Sequence, residues 1–265
     1  MRIVLDHVSY SSGNTVLIDD VSCELEEGVA VLVMGPSGSG KTLLMKVMAS
    51  ILPPSSGEIR YGEKALSTMS DRELQKIRTG QGFVFQDAAL WQNLTVYQNL
   101  ALPLEYHYPR RGAAQIRSHI LALCRKMDFQ EDLSHRPTLL SAGERKVASI
   151  LRALVLDPHT VYMDEPSAGL DSASSAYLLD ILKDLKRKGK TLIIGGHDSQ
   201  IASMIADRIL VMDEGRLVAY DTVQNLVRTD NRRIRAILSD VFDLSSTYDA
   251  DILDILGSSD GDPFA

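Results

Sequence analysis

The feature that most restricts the fold is a glycine-rich segment that directly follows a short run of apolar residues. It consists of Gly35, Pro36, Ser37, Gly38, Ser39, Gly40, Lys41 and Thr42, and it fits the pattern G-x-x-x-x-G-K-[ST] at every position. The preceding residues, Val29–Met34, are typical of a buried strand, and Lys41–Ile51 has the pattern of a helix. A strand, a glycine turn and a helix in this order form a loop that binds anions through its backbone N–H groups. The sequence therefore predicts that these eight residues hold the phosphates of a nucleotide.

A matching acidic segment lies further along the chain. Residues 161–163 are apolar and read as a strand, and Asp164 and Glu165 follow at its carboxyl end. Such a turn also occurs without any function, but its combination with the glycine-rich loop favours a catalytic role. We expect Lys41 to neutralise phosphate charge, and Thr42 and Asp164 to hold hydrated Mg²⁺ between them. Glu165 is then placed to orient or deprotonate an attacking water.

The order of predicted elements indicates an α/β fold. Residues 3–10 and 15–24 alternate apolar and polar residues around a turn, which predicts an antiparallel hairpin near the start. After residue 157 strands and helices alternate, which favours a mainly parallel sheet covered by helices. We expect one domain over residues 1–226, with a helical subdomain inserted at about 87–157. Residues 227–265 are predicted to form a helical and acidic tail. Its last part is acidic because residues 243–265 hold six aspartates and no lysine or arginine. This part is either a solvated segment or a contact for a partner protein.

Between the two phosphate-site segments lies a sequence that narrows the family. Leu140, Ser141, Ala142, Gly143 and Glu144 resemble the LSGGQ signature of ABC ATPases, a group of P-loop NTPases. Further residues stand in the family's order: Tyr10 at the adenine-stacking position, Gln86 in a Q-loop, Asp171 in a D-loop and His197 in an H-loop. The motifs extend from Tyr10 to His197, and with flanking strands the resemblance reaches about Leu226. The fold it implies is a P-loop NTPase core with an N-terminal antiparallel β part and an inserted helical subdomain.

The resemblance also implies a mechanism that needs two copies of the chain. ATP, with Mg²⁺, is expected to lie between residues 35–42 of one copy and the signature of the other, in a head-to-tail dimer. Ser141, Ala142, Gly143 and Glu144 are therefore expected to contact nucleotide from the second copy. Glu165, His197 and Gln86 are the expected catalytic residues, with Gln86 also near the metal. Asp171 is expected in the dimer interface.

The signature and its neighbours differ from the usual family pattern at a few positions. Ala142 replaces the first signature glycine, and Glu144 replaces the glutamine. Gly195 and Gly196 precede His197 where β-branched residues are usual. We expect these differences to affect the rate of turnover and not the fold.

Composition indicates how such a chain would reach a membrane. The 265 residues contain no apolar segment near the roughly 20 residues that span a bilayer, and the N-terminus reads as a strand and not as a signal peptide. Any membrane role is therefore expected to depend on separate permease subunits, with the chain on the cytoplasmic face of the cell membrane. The formal charge of −7 argues against nucleic acid as a partner. The two cysteines, Cys23 and Cys124, are expected to be free thiols.

Of all these properties, the transported substrate has the least direct support in the sequence. Residues 89–104 are similar to the region after the Q-loop in ATPases of Mce-protein (Mla-type) phospholipid transporters and of lipoprotein-release systems. Phospholipid is the favoured hypothesis, with a small cytoplasmic or Mce-type protein as a further partner. Lipoprotein release, import of a polar solute, and a soluble ATP-driven interaction factor stay open as alternatives.

Overall fold

The structure, a computed structural model, describes residues 1–239, 241 and 242. The predicted acidic end of the tail, residues 243–265, lies outside the described residues. The strands are β1 (Ile3–Ser12), β2 (Thr15–Leu25), β3 (Ala30–Met34), β4 (Ser56–Tyr61), β5 (Lys64–Ala65), β6 (Gln81–Val84), β7 (Thr160–Asp164), β8 (Thr191–Gly195), β9 (Arg208–Asp213) and β10 (Arg216–Thr222). The α-helices are α1 (Lys41–Met48), α2 (Asp71–Thr79), α3 (Val96–His107), α4 (Ala113–Lys126), α5 (Ala142–Leu154), α6 (Ser172–Arg187), α7 (Ser199–Met204), α8 (Val223–Val227) and α9 (Arg232–Leu238).

The central sheet has six strands in the order β10-β9-β3-β8-β7-β6. Neighbours from β9 to β6 are parallel, and only the β9–β10 pair at one edge is antiparallel. Strands β3, β7 and β8 are buried at every position because helices or the second sheet cover both faces. This explains why they read as continuous apolar runs and not as alternating ones.

A second, antiparallel sheet has the order β2-β1-β4-β5. Its inner face, with β1 and β2 side chains such as Ile3, Leu5 and Ile18, packs on α1 and on one face of the central sheet. The helices α3 to α6 cover the opposite face and form a second apolar core. This confirms the predicted fold class: an α/β core with a mainly parallel sheet, an N-terminal antiparallel part and a helical layer between β6 and β7.

Local signals account for the helix that begins at the signature. Ser141 caps α5 by accepting a hydrogen bond from the Glu144 N–H at 3.2 Å, and Glu144 Oε2 accepts from the Ser141 N–H at 2.6 Å. This reciprocal capping box satisfies two N–H groups that a helix start otherwise leaves free. The position of the α5 start is thus set by residues 141–144 themselves.

The C-terminal part of the described chain packs on the core. Ile234, Ile237 and Leu238 of α9 are buried with the apolar residues of the central sheet, and Arg233 pairs with Asp213 at 2.6 Å. The boundary after residue 226 stays a prediction, although residues 232–238 are helical. In the part of the chain that the structure describes, every helix is too short or too polar to cross a bilayer.

Candidate nucleotide-binding site

The site lies where the carboxyl ends of four parallel strands meet. β3 leads into the glycine-rich loop, β6 precedes Gln86, β7 ends at Asp164, and β8 precedes His197. The register places Gly195 of β8 between Val33 of β3 and Asp164 of β7. The loops after these strands therefore share one edge of the sheet, as ligand sites of open α/β sheets do.

The glycine-rich loop wraps around the ammonium of Lys41. Lys41 Nζ donates to the carbonyl of Gly35 at 2.7 Å and to that of Pro36 at 3.0 Å. Burial lowers the pKa of Lys41, although the carboxylates of Glu165 and Asp164 act in the opposite direction. Gly35 has φ of +150°, and a Cβ there would lie 2.0 Å from the Met212 carbonyl oxygen, so no other residue fits. The loop thus holds a positive charge at the start of α1, which suits a phosphate.

Thr42 and Asp164 meet directly across the cleft. Thr42 Oγ1 donates to the Asp164 carboxylate, with oxygen–oxygen distances of 3.0 and 2.8 Å. Asp164 is buried at the end of β7, so its orientation is fixed by the strand. Hydroxyl and carboxylate oxygens are the donors that Mg²⁺ takes in proteins, together with water and phosphate oxygens. The described residues contain no cluster of three or more His, Cys, Asp or Glu that could hold a metal. The pair fits an Mg²⁺ ion whose remaining ligands are water and phosphate oxygens.

Glu165 is held in an unusual backbone conformation beside His197. Its φ is +44°, and its N–H donates to the Gly195 carbonyl at 2.8 Å. A non-glycine residue in this region carries roughly 1–3 kcal/mol of strain, which is common at functional sites. Glu165 Oε1 lies 3.5 Å from His197 Nδ1, and the Glu165 side chain is only 18% exposed. Burial raises the pKa of Glu165, while His197 and Lys41 oppose that shift.

The structure explains why a glycine, Gly196, precedes His197. Gly196 has φ of +153°, and a Cβ there would come within 3.1 Å of Glu165 Oε2. The backbone freedom of glycine therefore brings the His197 loop against the Glu165 carboxylate. This accounts for the departure from β-branched residues that the sequence presents at this position.

One open cleft of about 1440 Å³ collects most of the predicted residues of a single copy. Its lining includes the whole loop from Gly35 to Thr42 together with Gln86, Glu165 and His197. Asp164 borders an adjoining cavity that Thr42 and Gln86 also line. The structure thus brings together the predicted phosphate, metal and catalytic residues.

Other predicted residues lie outside the lining of this cleft. Tyr10 is half-buried near the end of β1, packed on the core of the N-terminal sheet. Asp171 is exposed and caps α6 through the Ser174 N–H at 2.8 Å. Ser141 and Ala142 are exposed at the start of α5, and Gly143 packs so close to Ser174 that a Cβ would meet its hydroxyl at 2.3 Å. The signature segment therefore does not line the cleft that the chain's own phosphate loop forms.

Sequence reasoning missed two kinds of residue. Ser199 and Gln200 of α7 line the same cleft, with no motif to indicate it. Lys146 of α5 is buried beside the carbonyls of Gln86 and Glu165. A signal for Lys146 was present, because it lies four and eight residues before Ile150 and Leu154, on the apolar stripe of an amphipathic helix.

Comparison with known proteins places this geometry in a family. A family model described as "ABC transporter" matches residues 18–168, more than half of the chain. The Cell division ATP-binding protein FtsE of Mycobacterium tuberculosis is 33% identical over 220 residues, covering 82% of this chain and 95% of FtsE. The Macrolide export ATP-binding/permease protein MacB of Chlorobaculum tepidum is 38% identical over 205 residues, covering 76% of this chain. The matched part is 30% of MacB, so the chain spans about a third of the length of that relative.

A solved structure gives the same result for the fold. A dimeric ATP-binding cassette in a post-hydrolysis state, bound to ADP and Pi, superimposes with a TM-score of 0.75 at 30% identity. The match covers 83% of this chain and 98% of the cassette. The chain therefore belongs to the ATP-binding family of ABC transporters and is an ABC-type ATPase.

Proposed function

We propose that this chain is the ATP-hydrolysing subunit of a membrane transporter and works as a head-to-tail dimer with separate permease subunits. The proposal rests on where the predicted site residues lie: most line one cleft of a single copy, and the signature does not. One cleft of a single copy holds the phosphate loop, Gln86, Glu165 and His197. The signature at residues 140–144 lies outside that lining, exposed at its Ser141 and Ala142, and so is free to complete the site of another copy.

Within one copy, the proposed roles follow from position. Lys41 and the loop N–H groups bind the β- and γ-phosphates, and Thr42 and Asp164 hold Mg²⁺, which supplies charge neutralisation when bound. Glu165 accepts a proton from the attacking water, and its buried position makes it a stronger base than an exposed glutamate. His197 and Gln86, which line the same cleft, orient the γ-phosphate and the attacking water.

The second copy supplies the remaining contacts. The start of α5 carries the positive end of a helix dipole, and Ser141 and Ala142 are exposed there, while the N–H groups of Ser141 and Glu144 are already paired in the capping box. In the dimer, Ser141, Ala142, Gly143 and Glu144 contact the nucleotide of the other copy. The positive helix end attracts a phosphate bound in the opposite copy, so ATP joins the two chains. Asp171 lies in that interface, and Tyr10 stacks on the adenine. Hydrolysis removes the bridging charge, and the dimer then opens.

The pH–rate profile of ATP hydrolysis should have an acid limb that reports the ionisation of Glu165. Only ionised Glu165 can accept the proton, so kcat/KM for ATP, which reports ionisations of the free enzyme, should rise with pH through the pKa of Glu165. Because burial raises that pKa above the ordinary glutamate value of 4.5, the limb should lie above about pH 4.5. His197 lowers this pKa by its charge, so His197→Gln should move the limb to still higher pH. Steady-state phosphate release from pH 4.5 to 8.5 measures both, and a limb that is the same in the two proteins would contradict the assignment.

The membrane partner and the substrate are proposed from the resemblance of one segment to known transporter ATPases. The similarity of residues 89–104 to ATPases of phospholipid transporters supports lipid transport, with an Mce-type or small cytoplasmic protein in the complex. The chain then sits on the cytoplasmic face of the membrane through the permease. Lipoprotein release and import of a polar solute remain alternatives, as does a soluble ATP-driven factor.

Affinity purification of the Glu165→Gln protein from detergent-solubilised native membranes tests this proposal. ATP should trap the closed complex, and mass spectrometry should identify a permease together with an Mce-type protein and bound phospholipid. The same purification with the Lys41→Ala protein is the control for ATP dependence. A different permease would redirect the substrate assignment, and soluble partners alone would overturn the transporter assignment.

A further inference from the structure

Helix α5 carries a lysine that points into the protein and not toward the solvent. Lys146 is 4% exposed, and its Nζ donates to the Gln86 carbonyl at 2.6 Å and to the Glu165 carbonyl at 3.4 Å. Both partners are neutral, so burial dominates and lowers the pKa of Lys146, while Asp164, Asp87 and Glu165 attract its charge at longer range. A buried ammonium needs such partners, because leaving it unpaired is strongly unfavourable. Lys146 therefore joins α5 to the main chain of two catalytic loops at once.

A second cation of α5 holds the residues that follow Gln86. Arg152 donates from Nη1 to the Ala89 carbonyl at 2.7 Å and from Nη2 to the Ala88 carbonyl at 3.1 Å. Ala88 and Ala89 have φ of +65° and +47°, a region that alanine rarely adopts. Strain of this kind persists only where surrounding contacts maintain it. The segment from Gln86 to Ala89 is thus held in place by α5.

Close packing fixes the distance between α5 and the strand before Gln86. A Cβ on Gly82 of β6 would lie 2.6 Å from the Ala153 carbonyl oxygen of α5. The two backbones are therefore in direct contact, with no side chain between them. Backbones in contact leave no gap at this point that could absorb a displacement of α5.

We propose that Lys146 is a positioning residue that transmits movement of α5 to the side chains of Gln86 and Glu165. This inference rests on the proposed function, in which the start of α5 contacts the ATP held by the second copy. Lys146 lies one turn into that helix, so it links contact with the partner's ATP to the catalytic loops of its own copy. Lys146 of each copy is then one of the links that couple the two ATP sites of a dimer, beside the Arg152 contacts and the Gly82–Ala153 packing.

Substitutions at Lys146 in the full-length chain test the proposal. Lys146→Met removes the charge and both hydrogen bonds while keeping an apolar chain of similar length. Because displacements near 1 Å at a catalytic group lower rates by about 100-fold, kcat should fall at least about 10-fold. The Kd for ATP should stay within about 2-fold, since Lys41 and Thr42 are untouched. Lys146→Arg keeps a buried cation and should recover at least about a third of the wild-type kcat.

Lys183→Met is the matched control, because Lys183 of α6 has a side chain that is 42% exposed and its ion-pair partner, Asp180, is 3.8 Å away. Thermal unfolding checks that each variant is folded, and Lys146→Gln replaces the methionine variant under the same criteria if that one does not fold. An unchanged kcat, a parallel loss of kcat and ATP affinity, or no recovery with arginine would each overturn the proposal. Wild-type turnover in the same assay reports separately on the proposed function, since its absence would contradict ATP hydrolysis itself.

Discussion

Hydrolysis of ATP by the Glu165→Gln protein is expected to fall about 10³-fold, within the range that a general base contributes. The amide keeps the size of the side chain but cannot accept the proton of the attacking water. ATP binding should persist, because the phosphate loop and the Thr42–Asp164 pair are unchanged. Phosphate release under saturating ATP and Mg²⁺ measures the loss, and equilibrium binding of a fluorescent ATP analogue measures the affinity.

The same substitution should leave the fold intact or stabilise it. Burial raises the pKa of Glu165, so the folded state favours the protonated form. As pH rises, ionisation of Glu165 therefore lowers the free energy of unfolding. This destabilisation is absent at any pH well below the pKa that Glu165 has in the unfolded chain. At neutral pH Glu165→Gln should unfold at an equal or higher temperature than wild type. Glu63→Gln is the control, because the Glu63 side chain is 94% exposed. Undiminished ATP turnover by Glu165→Gln would contradict the assignment of Glu165 as the general base.

Replacing Lys41 with alanine is expected to weaken ATP binding by at least about 100-fold. Its ammonium is the half-buried charge at the centre of the loop, and a charge-assisted hydrogen bond contributes about 1.5–3 kcal/mol. A 100-fold change corresponds to about 2.8 kcal/mol, which is one or two such bonds. Titration of the fluorescent ATP analogue measures the Kd.

Lys64→Ala is the matched control for this loss, since Lys64 lies on the short β5 strand and pairs with Glu73 away from the cleft. Its Kd should equal that of the wild type. A Kd of Lys41→Ala within about 3-fold of the wild type would contradict phosphate binding by this loop.

The fold could be predicted from sequence because its signals are local. The loop at residues 35–42, the buried strands and the capping box at Ser141 each depend on neighbours within a few positions. Parallel strands also bring loops together at one edge, so the proximity of Gln86, Glu165 and His197 followed from the order of elements. These arguments need only the chain's own periodicity.

Contacts between distant segments could not be predicted in the same way. The bond from Lys146 to the Gln86 carbonyl spans 60 residues, and no local pattern specifies which carbonyl a buried lysine meets. The left-handed conformations of Ala88 and Ala89 likewise depend on Arg152, more than 60 residues away. The need for glycine at 196 arises from the Glu165 carboxylate, which tertiary packing alone brings near.

The central claim is that two copies share each ATP site, and the molar mass of the Glu165→Gln protein in solution tests it most directly. Light scattering should give the mass of one chain without nucleotide and twice that mass with saturating ATP and Mg²⁺. Adding Ser141→Arg, which fills the exposed start of α5, should abolish this dimer while each copy still binds ATP. A single-chain mass in saturating ATP, or a dimer that forms equally well with Ser141→Arg, would contradict the shared site.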